Sequence, residues 1–206
     1  AGNHITDCGA QGIAETVAEL DRLGIACCGA GMTLEDARRP AFAEACGQKI
    51  ALLSYNCIGP QAAWATAERA GCSYLPLTTQ DGNEVTPIAH IESVPAEAAH
   101  ILSADVAEAR GNGADHVIVA LHKGVVHTPA HIEPYERDLA KMAIEAGADA
   151  VISHHAHIVR GVEFHQGKPI FHGLGNGCVV TRALSPDQDH PARSEWARKR
   201  KELFGF

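Results

Sequence analysis

No stretch of this 206-residue chain holds about eighteen consecutive apolar residues, so no segment reads as a bilayer-spanning helix. No secretory h-region opens it either. Cys-x-x-Cys is missing, although the chain has seven cysteines, so a zinc ribbon has no support. An odd and scattered set that includes the adjacent Cys27 and Cys28 reads as free, mostly buried thiols. That usage implies a reducing compartment, and the expected location is cytoplasmic. Positive charge is not in excess: 17 Lys and Arg stand against 25 Asp and Glu, a formal net charge of -8. Neither nucleic acid nor an anionic membrane is then the main partner. The Gly-x-Gly-x-x-Gly spacing is absent too. Gly173-Leu-Gly-Asn-Gly177 lacks that spacing, a lysine and a following helix, and reads instead as a tight return that sets Asn176 near a site.

What remains is an ordinary globular composition, 46% apolar and 20% charged, at a length that fits one domain over residues 1–206. Helical spacing of Ile13, Val17, Leu20 and Leu23 predicts a helix over 12–23, ended by Gly24. Residues 25–28 read as a short buried strand and Gly29-Ala-Gly31 as a turn. Thr33 with Asp36 fits a capping box before a short helix that stops at Pro40. Residues 42–46 and 49–55 read as a hairpin through Gly47-Gln48. The irregular stretch 56–94 reads as an insert or lid. Helices are expected over 95–110 and 134–146, strands over 115–121 and 149–153, and a last hairpin over 157–164 and 168–172. Strands alternating with helices, then antiparallel pairs, suggest a layered α/β sandwich.

Histidines carry the chemical signal. His122 and the cluster His154, His155, His157 each follow a short apolar run, and Gly-Ala-Asp precedes each run. Neighbouring parallel strands place those side chains at one sheet edge, where open α/β sheets place active sites. Residues two apart on a strand point the same way, so His155 and His157 could share one ion or bind two. Neutral imidazole suits zinc, iron, manganese and copper. His127 and His131 follow in the loop after His122 and read as solvated, with His127 a candidate for a substrate phosphate or carboxylate. Gly2-Asn3-His4 supplies an amide oxygen and a possible acid for a leaving group. Asp7 either orients His4 or is an exposed loop carboxylate, and the second is preferred. His172 reads as a supporting residue near the site, and Glu163 and Arg160 as surface residues.

These motifs resemble the bacterial capsule and poly-γ-glutamate synthesis (CapA-type) family. Gly2-Asn3-His4, Gly29-Ala-Gly-Met-Thr-Leu-Glu-Asp-Ala-Arg-Arg-Pro40, Val119-Ala-Leu-His-Lys-Gly124, Gly147-Ala-Asp-Ala-Val-Ile-Ser-His-His-Ala-His157 and Lys168-Pro-Ile-Phe-His-Gly-Leu-Gly-Asn176 stand in the family's order. That family is similar to calcineurin-like metallophosphatases, which implies an α/β/β/α sandwich and a site for one or two divalent transition metals (Mn, Zn or Fe). By the resemblance Asn3, His122 and His155 serve one metal and His157 the other, and His4 is the catalytic histidine. His154 stands where glycine is usual. The superfamily's first motifs, an Asp, a His and a bridging Asp, lie upstream of Gly-Asn-His, where this chain has no residues. Its first residues read as the end of a strand whose body is missing, and residues 192–206 as a basic helical stretch that breaks off. The chain is therefore expected to be an internal fragment truncated at both ends. An unpaired edge of that kind invites a homo-oligomer or a partner chain.

Three functions follow. A metallohydrolase would act on a phosphoester or a poly-γ-glutamate or peptide-like bond, with a small molecule or a polymer as substrate. A metal-dependent epimerase or lyase would use the same Lewis acid to release a proton next to a carbonyl. A non-catalytic assembly factor for polymer synthesis would keep the fold and some ligands only.

Overall fold

The computed structural model describes residues 2–86, 89–126, 131–177 and 198. Helix α1 (Gly9–Arg22) is followed by strand β1 (Ala30–Gly31), helix α2 (Leu34–Arg38), strands β2 (Ala41–Ala45) and β3 (Gln48–Asn56), and the short strands β4 (Gly71–Cys72), β5 (Thr78–Thr79) and β6 (Ile91–Ser93). Then come α3 (Ala96–Gly111), β7 (His116–Lys123), α4 (Pro134–Glu145), β8 (Ala150–His155), β9 (Val162–His165) and β10 (Lys168–Phe171). Among the described residues no helix is long and apolar enough to cross a membrane.

A mixed six-stranded sheet, in the order β2-β3-β7-β8-β10-β9, forms the centre of this α/β fold. Strands β3, β7, β8 and β10 run parallel, and β2 and β9 close the two sides as antiparallel partners. Helices α3 and α4 sit in successive crossovers and pack against each other and against β7 and β8. Alternate strand residues point to that helical face, and there Ala51, Leu53, Val117, Val119, Leu121, Val151 and Ile170 meet Leu102, Leu139 and Ile144 in the main core. On the opposite face Leu52, Ile118 and Ile152 are half-buried. Two two-stranded ribbons, β1-β4 and β5-β6, complete the described sheets.

Backbone chemistry explains where the helices stop. After α1, α3 and α4 the chain turns at Gly24, Gly113 and Gly147, with φ of 68°, 85° and 108°. In each case the next amide reaches back to the carbonyl five residues earlier: Ile25 to Leu20, Ala114 to Ala109 and Ala148 to Ala143. This is the Schellman arrangement, which satisfies orphan carbonyls and favours a residue without Cβ. In the two Gly-Ala-Asp segments the third residue then acts on the sheet. The N–H of Asp115 donates to Lys49 O, and its carboxylate accepts from Lys49 N–H, both at 2.8 Å. Asp149 does the same to Val117, again at 2.8 Å in both directions. Each aspartate thereby locks the start of its strand to the neighbour.

Several local expectations change. Residues 25–28 form no strand, and Ile25 is 51% exposed. Pairing starts at Ala30-Gly31, which is a strand and not a turn, because it bonds to Gly71-Cys72. A Cβ on Gly31 would stand 2.4 Å from the Asp36 Cβ, so α2 can pack there only on glycine. The Thr33 cap is as expected, its hydroxyl accepting the Asp36 N–H at 3.2 Å. The first hairpin turns one residue earlier than expected, at Cys46-Gly47 with φ of 53° and 74°. That pair of left-handed residues suits the twist of a two-residue hairpin, and Gln166-Gly167 repeats it at 51° and 75°. The thiols are less buried than expected. Only Cys57 and Cys72 are buried among the described cysteines, because Cys8 precedes an exposed helix and Cys46 sits in the hairpin turn. Residues 56–94 hold the short turn Gln61–Ala63 and β4 to β6. The expected stretch 192–206 lies outside the described residues apart from Arg198.

Asp149 also accepts from Arg110 Nη2 at 2.6 Å. Burial raises the pKa of its carboxyl, but the Val117 amide and Arg110 outweigh it and hold the group below the ordinary aspartate range. A folded-state pKa below the unfolded one adds stability above about pH 4, which is lost as pH falls through the folded value. Asp149→Ala should therefore cost about 2 kcal/mol at pH 7, a figure reduced for partial exposure. The penalty should shrink as pH drops below about 4. Urea unfolding at pH 7 and pH 3 checks this, and equal penalties at both would contradict the electrostatic role.

Candidate metal centre

Register at the start of the strands sets register at their ends. In the β3–β7 and β7–β8 ladders Asn56 stands beside His122, and His122 beside His154. Lys123 is level with His155. His122 consequently meets both neighbours: its ring centroid lies 4.7 Å from that of His154 and 4.6 Å from that of His155. His155 and His157 are 6.4 Å apart by the same measure.

Strand geometry alone does not place His155. Its φ is 95°, and that of His157 is 58°, both in the left-handed region that non-glycine residues avoid. The chain leaves the β8 pleat at His155. A backbone outlier of this kind costs about 1–3 kcal/mol and is common where side chains must be aimed.

The N-terminal motif docks against this row. The Asn3 Oδ1 lies 2.8 Å from His122 Nε2. A Cβ on Gly2 would stand 2.6 Å from the His122 ring, and one on Gly59 would stand 2.8 Å from the Asn3 Cβ. Glycine at these positions lets the backbone approach His122 on one side and Asn3 on the other. His4 is on the exposed side, its Nδ1 3.0 Å from Asp7 Oδ2. Asp7 is exposed, as preferred, yet it orients His4 as well.

Burial keeps the row uncharged. Desolvation, followed by the neighbouring imidazoles His155 and His154, pushes the His122 pKa down to about 2. Desolvation lowers His154 to about 4, and desolvation together with His157 and His154 lowers His155 to about 4. Neutral imidazoles keep lone pairs, and two ring nitrogens in the row, His122 Nδ1 and His155 Nε2, are buried without a hydrogen-bond partner. Orphaned polar atoms at zero exposure are uncommon and need a reason. Among the described residues, no group of three or more His, Cys, Asp and Glu side chains is already gathered closely enough to enclose an ion. The donor set at hand is an amide oxygen plus neutral imidazoles.

Two residues expected near the site make the following contacts. Asn176 Oδ1 is 2.7 Å from His157 Nδ1, a contact that orients that ring. His172 is 1% exposed, with Nε2 3.2 Å from Glu163 Oε2. His131 pairs with Glu133 at 2.6 Å in the solvent, as expected. His127 lies outside the described residues.

Arg160 is not a surface residue: it is 6% exposed and bonds to Glu136 and the Val125 carbonyl. With Lys123 and Glu136, both fully buried, it forms an ionic group under the histidines that the sequence reading missed. Lys123 looks like a turn residue in sequence, and Glu136 looks like a first-turn helix acid. Their one legible sign is period 2 in β7, which points Lys123 to the same face as Leu121 and Val119.

Over residues 1–179 the sequence matches the family model described as Bacterial capsule synthesis protein PGA_cap. It is 27% identical over 176 residues to the Capsule biosynthesis protein CapA of Bacillus anthracis, covering 85% of this chain and 38% of that protein. Against the PGA biosynthesis protein CapA of Bacillus subtilis (strain 168) the identity is 28% over 177 residues, covering 85% and 40%. A Probable polyglutamine synthesis accessory protein of Mycobacterium tuberculosis (strain ATCC 25618 / H37Rv) is 32% identical over 176 residues, covering 85% and 43%. The chain thus spans roughly two fifths of the length of these curated relatives. Asn3, His4, His122, His155 and His157, which the fold gathers at one sheet edge, all lie within the matched 1–179, and the chain belongs to the bacterial capsule synthesis (PGA_cap, CapA-type) family.

Proposed function

We propose that this chain carries the metal-holding part of a hydrolase that serves the synthesis of a capsular, γ-glutamyl-type polymer. The observation behind the metal is the buried, unpartnered Nε2 of His155 at the ring of His122, whose own Nε2 faces the Asn3 amide oxygen. Asn3 Oδ1 and His122 Nε2, 2.8 Å apart, would present two donor atoms to one ion. Imidazole with a single amide oxygen favours Mn, Zn or Fe over calcium or magnesium. Asn3, His122 and His155 would hold one ion, and His157, steadied by Asn176, would face a second.

A divalent ion there supplies Lewis acidity and makes water a competent nucleophile near neutral pH. The protein supplies the rest. His4 stands at the solvent edge with Asp7 on Nδ1, so its Nε2 can hold a proton and give it to a departing oxygen. Buried imidazoles resist protonation, so protons do not compete for the donor atoms until well below neutral pH. The polymer link rests on the family and on the names of the relatives. His127 and His172 are the further residues proposed to face or support the substrate. One finding favours a second reading. The Mycobacterium tuberculosis relative is named an accessory protein, which suits a factor that binds polymer or synthase without turnover.

The first test is the metal content of the purified chain after reconstitution with Mn, Zn or Fe, with His122→Ala and His155→Ala alongside. The expected result is about one to two ions per chain, with at least one lost in each variant. No metal in the reconstituted parent would sink the metal reading. A second test uses the leaving group. His4→Ala should keep its metal but slow hydrolysis of an alkyl phosphodiester by about 100-fold. A nitrophenyl ester, whose leaving group needs no proton, should lose far less. Equal losses on both esters would remove His4 from the acid role, and no turnover by the metal-loaded parent would favour the accessory reading.

A further inference from the structure

We propose that the first turn of α4 is a positioning clamp for the histidine row, with Glu136 as its centre; this rests on the metal reading above. The row depends on the ends of β7 and β8 and on the two turns that leave the sheet there, residues 124–126 after β7 and residues 156–160 after β8. The β7–β8 ladder ends at Lys123 and His155. Beyond it, among the described residues, the second turn is bonded by its backbone to residues 172–174, through Val159–Leu174 and Arg160 N–H to Gly173 O, but not to the first turn.

Glu136 bridges the two turns. Its Oε2 lies 3.1 Å from Lys123 Nζ, the residue directly after His122. Arg160 Nη1, three residues after His157, stands 3.2 Å from Oε1 and 3.3 Å from Oε2. Arg160 Nη2 donates to the Val125 carbonyl at 2.6 Å, which joins the second turn to the first directly. The Gly124 amide donates to the Tyr135 hydroxyl at 2.9 Å. Glu136 is itself held by the helix start, where its Oε1 accepts the Glu133 N–H at 3.0 Å in a reciprocal capping box. The packing leaves no slack. A Cβ on Gly124, whose φ is 102°, would come within 2.5 Å of Glu136 Oε2 and 3.0 Å of Arg160 Nη1.

Stability alone is a poor reason for this arrangement. Removing charges from water is costly, and apolar residues of similar volume often serve a core equally well or better. Directional bonds offer what leucine and methionine lack: one defined distance between the two turns. That distance fixes how far His122 stands from His155 and His157. Groups that hold ligands in place are commonly worth 10- to 100-fold in metal affinity.

The test measures Co(II) binding by titration and by its ligand-field spectrum, with amide hydrogen exchange at residues 124–126 and 156–160, in the parent chain, Glu136→Gln and Tyr135→Phe. Glu136→Gln is expected to bind Co(II) about 10- to 100-fold more weakly, with a changed spectrum and faster exchange in both turns. Tyr135→Phe, which removes one hydroxyl, is expected to weaken binding about 3-fold and to speed exchange at Gly124. A purely structural role would lower the melting temperature yet leave the folded protein's Co(II) affinity and spectrum as in the parent, and that result overturns the clamp. If Glu136→Gln does not fold, Tyr135→Phe decides, and unchanged affinity and exchange there overturn the proposal. If the parent binds no Co(II), the metal reading fails. The clamp is then judged on exchange alone, faster in both turns supporting it and unchanged overturning it.

Discussion

The bonds from Asp115 and Asp149 to the first residues of the neighbouring strands constrain everything at the far edge of the sheet. A parallel strand can slip along its neighbour, and a one-residue slip would reverse every side chain. Here each strand is fixed before its second residue by a two-way contact, N–H to carbonyl and carboxylate to N–H. The ladder then carries that register over the full strand and delivers Asn56, His122 and His154 as one row. The Schellman glycines matter for the same reason. They stop each helix at the point where the aspartate can reach, so Gly-Ala-Asp is a single device joining a helix end to a sheet register.

That device explains what was legible in the sequence. The repeated Gly-Ala-Asp, the apolar runs after it and the terminal histidines are all local in the chain, and two copies of one pattern imply one geometry. The mixed α/β class, the long helices and the existence of both hairpins followed from equally local signals, glycine at a turn or apolar residues at period 3.6, although the first strand of the second hairpin starts at Val162 and not at residue 157. The row itself was legible because it needs only two strands in parallel register. The docking of Asn3 was legible only through the family resemblance. Nothing in Gly-Asn-His states that its backbone will lie against a histidine more than a hundred residues away, with Gly59 on the other side.

The remainder was hidden because it depends on tertiary contacts. The expected strand at 25–28 failed because Ile25 is committed to the end of α1, while sheet pairing needs a partner that arrives only at Gly71-Cys72. Arg160 was read as exposed because long charged residues usually are. Its burial follows from a partner, Glu136, that lies 24 residues away and is itself disguised as a routine helix-start acid. Charged residues carry no periodic signature of being inside. Only the face of the strand on which Lys123 falls could have raised the question.

Strain and clamping belong to one account. His155 and His157 hold positive φ angles that would relax in a free loop, and relaxation would turn their rings away from His122. Both flanks are fixed, upstream by the Asp149 register and downstream by the Val159–Leu174 bridge, the Arg160 N–H to Gly173 O bond and the Arg160–Glu136 pair. The desolvation that drives the imidazole pKa values down works against the fold in the same way, since neutral, orphaned ring nitrogens are a cost that packing must absorb. A scaffold that concentrates backbone strain, desolvation and a buried ionic group within two short turns has given up stability there. On the reading proposed above, what it obtains in exchange is a set of donor atoms whose positions would be set by the sheet and by α4, and not left to the histidine side chains themselves.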